Sequence, residues 1–195
     1  MSRIKSAWEI ALERTQDIEV DKDRLAKEEM TRRARALAGS YLNYDEGVDE
    51  ESVAKDWEGI RDKEGAREGL RMALLQNLTL PGESVLNDRY ERLSFLAGLL
   101  SGGNGDVAAL MGQITAFLKQ YPQHQQQLLE QLKAHFRPML EEKEAKLSEQ
   151  YGQPVHIAPE SDKDFMKLAQ QQLEALRKQY SDSLDQAKAQ LERLI

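Results

Sequence analysis

The chain has 195 residues, a net charge of −7, no cysteine, and 31% charged against 40% apolar residues. Without cysteine there is no disulfide, thiolate metal site or cysteine nucleophile. An acidic chain also gains nothing from counterion release, which disfavours a general role on nucleic acid. The high charged share, with few aromatics, predicts thin helix-on-helix packing rather than one large round core, in a chain dominated by the helix formers Leu, Ala, Glu, Lys, Arg and Gln.

Residues 6–16 read as a short amphipathic helix, with Ile4, Ala7, Trp8, Ala11 and Leu12 at helical spacing. Glu9 and Glu13 interrupt any uncharged core a signal peptide would need. A second helix is expected from Asp21 or Asp23, carrying Leu25, Met30, Ala34, Leu37, Ala38, Tyr41 and Leu42, with a loop over 43–49. Residues 50–65 hold only Val53, Trp57 and Ile60 on a narrow stripe. Gly59, Gly65 and Gly69 weaken helix there and beyond, so the expectation is a marginal, mobile helix. Most of the excess negative charge lies between Asp45 and Glu68, whereas Lys27, Arg32, Arg33 and Arg35 form a local basic patch. An internal electrostatic contact or an anionic partner protein suits that patch better than nucleic acid.

The apolar pattern strengthens through Leu70, Ala73, Leu74 and Leu78, and Thr79-Leu80-Pro81-Gly82 stops it. A helix opening at Glu83-Ser84 runs to Leu100, Ser101-Gly102-Gly103-Asn104-Gly105 ends it, and Asp106 is the expected cap of the next, which runs to Leu118. These helices hold the densest apolar content. Residues 122–150 continue with a stripe of Leu132, Phe136, Met139, Leu140 and Leu147, kinked by Pro138 near His135. A connector over 152–159 precedes a long final helix with Ser161 or Asp162 near its cap. There Met166, Ala169, Leu173, Leu176 and Tyr180 alternate three and four apart as a heptad seam. Leu184, Ala187, Leu191 and Leu194 resume it after a stutter. The fold expected is all-α: N-terminal amphipathic helices over 1–44, an acidic segment over 45–65, a small helical core over 66–120, and a long antiparallel helical hairpin with coiled-coil character over 121–195.

No metal or cofactor site is expected. The three histidines are His124, His135 and His156. No H-E-x-x-H surrounds them, and the residues three before each are Tyr121, Leu132 and Gln153, so a Glu-x-x-His ligand pair is missing too. Gly103-Asn104-Gly105 lacks the later glycine and the Lys-Ser/Thr of a phosphate loop. The apolar run over 93–100 is far shorter than the about 20 residues a membrane span needs, and the compartment expected is the cytoplasm.

The run Ser6-Ala7-Trp8-Glu9-Ile10-Ala11-Leu12-Glu13-Arg14-Thr15, then Ile18-Glu19-Val20-Asp21 and the turn Asn77-Leu78-Thr79-Leu80-Pro81, resembles a small family of uncharacterised bacterial helical proteins. The resemblance implies a bacterial, cytosolic protein and brings no activity, ligand or catalytic residue. Two functions stay open. One is a helical scaffold or adaptor binding a protein partner, or itself as a homodimer, through Trp8, Leu12, Leu173, Leu176, Tyr180, Leu184 and Leu191. The other is a small-molecule binding protein or enzyme with its site among the helices of 66–118. A closed pocket of convergent polar groups would favour the second, and an exposed apolar stripe the first.

Overall fold

The computed structural model describes residues 22–60, 63–82 and 88–195. The expected all-α fold is what it shows: the described residues form six α-helices and no strand. They are α1 (Lys22–Leu42), α2 (Glu50–Gly59), α3 (Lys63–Asn77), α4 (Arg89–Ser101), α5 (Gly105–Tyr151) and α6 (Lys163–Leu194), with one 3-10 turn, Pro159–Ser161, before α6. None of these helices is long and apolar enough to cross a membrane. The expected helix over 6–16 and the helix start at Glu83-Ser84 lie outside the described residues. The chain forms two compact units, residues 1–74 and 75–195.

In the first unit, α1 buries Ala34, Ala38, Tyr41 and Leu42, which share one helical face. The segment read as marginal contains a well-terminated helix. Asp49 and Ser52 form a reciprocal capping box, with Ser52 N donating to Asp49 Oδ1 (2.8 Å) and Asp49 N to Ser52 Oγ (2.9 Å). The Ser52 backbone bond holds the Asp49 carboxyl below its ordinary value. Val53 and Trp57, one turn apart, are both buried, and the Lys63 ammonium sits 4.7 Å from the Trp57 ring centre. Gly65 and Gly69 do more than weaken α3. A Cβ at Gly65 would stand 2.6 Å from the Lys27 carbonyl oxygen, and one at Gly69 2.1 Å from that of Thr31. The two glycines, one turn apart, let the α1 backbone lie directly on α3. The Thr31 hydroxyl spans the crossing, 2.9 Å from the carbonyl oxygens of both Lys27 and Gly65.

In the second unit, Gly102 takes the left-handed conformation (φ 65°) that closes α4, and the N–H of Gly103 returns to Gly98 O at 2.9 Å. The cap of α5 is Asn104, whose side chain accepts from Asp106 N (2.9 Å). Asp106, expected as the cap, lies in the first turn, where its charge suits the helix dipole. Helix α5 then runs unbroken for 47 residues, about 70 Å at 1.5 Å per residue. The sequence reading ended one helix at Leu118 and began another at Pro122. Pro122 and Pro138 instead lie inside α5. Each proline costs the carbonyl four residues earlier its backbone partner, about 3 kcal/mol. The buried anchors on either side, Leu118 and Tyr121 before, Phe136 and Leu140 after, hold the helix together across that loss.

Helix α6 lies against α5 in the opposite direction. The Phe136 and Phe165 rings meet at 5.5 Å, Tyr121 and Tyr180 at 4.9 Å, so advancing along α6 moves the contact back along α5. The connector is bonded to α5 at its centre. Val155 N donates to Ser148 Oγ (2.9 Å), and Ile157 N to Glu144 Oε1 (2.6 Å), which also lies 2.8 Å from His156 Nδ1. Lys133 pairs with Glu160 at 2.7 Å. Of the two caps considered for α6, Asp162 is the one used. The buried face differs by a step from the seam read in the sequence. Phe165 is buried while Met166 is 56% exposed, and Leu140 is buried while Met139 is 43% exposed. The seam spacing favoured the right face of α6 and picked the neighbour of its first anchor, because a three–four alternation does not say which of two adjacent apolar residues turns inward.

Candidate functional groove on the second unit

A groove of about 1070 Å³ opens on the second unit. The Thr79–Gly82 stop after α3 supplies Leu80 and Pro81 to its wall, and α4 supplies Tyr90. From α5 come Lys119, Tyr121, Pro122, Gln125 and Leu129, and from α6 Phe165, Met166, Ala169, Leu173 and Arg177 among others. Helical spacing explains the α6 side. Phe165, Ala169 and Leu173 recur at four-residue steps and so line one face, with Met166 and Gln170 beside them.

The polar groups around the groove are mostly spent on structure. The Tyr90 hydroxyl donates to the Thr79 carbonyl (3.2 Å), fixing the Leu80–Pro81 wall to α4, and burial pushes its pKa up. Gln125 Nε2 donates to the Tyr121 hydroxyl at 3.2 Å. Lys119 is hydrogen-bonded to Glu91 (2.8 Å), which lowers the Glu91 pKa. The bond from Lys133 holds the Glu160 carboxyl below its ordinary value and raises that of Lys133. Gln170 donates to Glu174 at 3.2 Å. Arg177 makes no ion pair among the described residues. The result is an apolar floor with a mixed-charge rim. No nucleophile–base pair faces it, and among the described residues no three of His, Asp and Glu are grouped as metal ligands. His124 has another task, holding the Tyr180 hydroxyl through Nδ1 at 2.6 Å beside the stacked Phe117 ring.

The residues singled out from sequence fall into three groups. Trp8 and Leu12 lie outside the described residues. Tyr180, Leu184 and Leu191 are buried within the chain. Leu173 and Leu176 are half-buried, and of these Leu173 lines the groove. Sequence reasoning missed Tyr90, Tyr121 and Phe165. The signal for Phe165 was its four-residue step to Ala169. Tyr90 and Tyr121 carried none, because only the packing of α4 and α6 onto α5 brings them to one surface.

Fold and groove together define an all-α protein whose C-terminal unit pairs two long helices beneath an open, apolar-floored groove. The sequence matches the Family of unknown function (DUF6657) over residues 55–193, and the chain belongs to that family. No curated protein and no solved structure matches it.

Proposed function

We propose that the protein is a helical scaffold or adaptor, working in the cytoplasm, that receives an apolar helical segment of a partner protein in the groove between α5 and α6. One observation carries this reading. Met166 stands 56% exposed in the groove, next to the half-buried Leu173 and the buried Phe165 and Ala169. An apolar floor with a charged rim suits an amphipathic helix, whose anchors repeat at the same spacing as the floor residues. Pairing of two copies is the weaker form of the idea. Tyr180, Leu184 and Leu191 are buried within the chain, leaving little of the seam for a second copy.

A second reading, a small-molecule binding protein or enzyme, draws support from the groove's volume of about 1070 Å³, at the upper end of ligand-site sizes. Against it, the shifted ionisable groups around the groove are held in structural pairs rather than converging on its interior. Panning a displayed peptide library against the full chain separates the two. The expected result is enrichment of peptides with apolar residues three and four apart, whose binding is lost with Met166→Glu. Failure to enrich any peptide, or binding indifferent to Met166→Glu, rejects the adaptor groove.

A further inference from the structure

On the first unit, α1 and α3 enclose a second groove of about 500 Å³. Its α1 wall is a stripe of Arg24, Lys27, Arg32 and Arg35, and its α3 wall carries Glu68 and the 36%-exposed Met72. We infer that this face docks an acidic, amphipathic segment of another protein.

Charge is the first argument. Four cations and two acids, Glu28 and Glu68, line the groove in a chain whose net charge is −7, so the sign here opposes that of the molecule. Glu28 pairs with Arg24 at 3.8 Å, Glu68 with Arg71, and Lys27 with Glu64. Arg32 is exposed and makes no ion pair among the described residues. A carboxylate-bearing partner meets this charge with complementary sign, which raises association rate and selects against basic partners.

Apolar content is the second. Met72 gives a flexible apolar contact at the groove, and the aliphatic stems of Arg and Lys extend it. A nucleic-acid backbone would leave that surface unused and would face repulsion from the rest of the chain. An amphipathic protein segment uses both features. The groove is also preformed: Gly65 and Gly69 bring α3 onto the α1 backbone, and the Thr31 hydroxyl holds the crossing, so little ordering remains for binding.

The test uses the full chain and a labelled helical peptide with glutamates along one face and leucines along the other, read by fluorescence anisotropy. Binding is expected to weaken by about tenfold or more with Arg32→Glu, with Met72→Glu, or when the peptide's glutamates become glutamines, and to weaken as salt is raised. Arg32→Gln, which removes the charge without reversing it, should fall between. Unchanged affinity in Arg32→Glu overturns the inference. So does tighter binding of oligo-dT or of anionic phosphatidylglycerol vesicles than of the peptide. A gain of about tenfold in Glu9→Lys/Glu13→Lys overturns it too, since the chain's own N-terminal segment would then be the occupant. Met166→Glu should leave this binding untouched, so the groove of the second unit stands or falls separately.

Discussion

The Asp162 carboxylate accepts from the backbone N–H groups of Asp164 and Phe165 at 3.0 Å each, and from the Lys143 ammonium at 2.6 Å. It thereby caps α6, ties the connector to α5, and places Phe165 against Phe136. The Lys143 bond is the main cause that lowers the Asp162 pKa, and the N–H of Phe165 adds to it. A carboxylate whose folded pKa is depressed contributes stability above its unfolded value, and that contribution is lost as pH falls through the folded one. Asp162→Asn should therefore lower the melting temperature near neutral pH. The deficit should begin to close at about pH 4 and vanish in stronger acid, as wild-type Asp162 itself becomes protonated. Melting curves across that range check it; a deficit independent of pH would mean that the ion pair contributes nothing. The sequence marked Asp162 as a possible cap. It could not mark Lys143 as the partner, because the pair forms only once α6 folds back along α5.

At the scale of elements, the glycines divide by what surrounds them. Gly69 has the Thr31 carbonyl oxygen 2.1 Å from its missing Cβ, whereas Gly112, exposed in the third turn of α5, has nothing within 4 Å. Gly69→Ala should force α1 and α3 apart and destabilise by about 1–3 kcal/mol. Gly112→Ala should stabilise by about 0.5–1 kcal/mol, since only the entropic cost of glycine is removed. Urea titration of both variants tests the pair, and equal effects would contradict the close crossing. Sequence alone treats the two residues alike, which is why α3 read as weakened. The same limit produced the expected break before Pro122. Local chemistry sees the lost donor, but not the buried anchors on both sides of it. What the sequence did carry was the all-α class, the loop over 43–49 and the Ser101–Gly105 turn, each set by local periodicity or turn chemistry.

Across the whole molecule, the two units carry unlike surfaces. The unit of residues 75–195 has an apolar floor with a mixed rim, and the unit of residues 1–74 a basic stripe beside one exposed methionine. Neither groove was legible beforehand. The basic residues of α1 were visible as a cluster, and Leu173 as part of a seam. Which neighbours face them depends on α3 in one case and on α4 and α5 in the other. The groove between α5 and α6 is the surface on which the proposed function turns. Its most direct test is site-specific photocrosslinking in the native cell, with the photoreactive residue placed at Met166 or Gln170 and, as a control, at exposed Gln190 near the end of α6. The expected result is one discrete protein adduct at the two groove positions, absent from the control and lost when Leu173→Glu is added. Adducts equal at all three positions, or none at Met166 and Gln170, would contradict the groove as the docking surface.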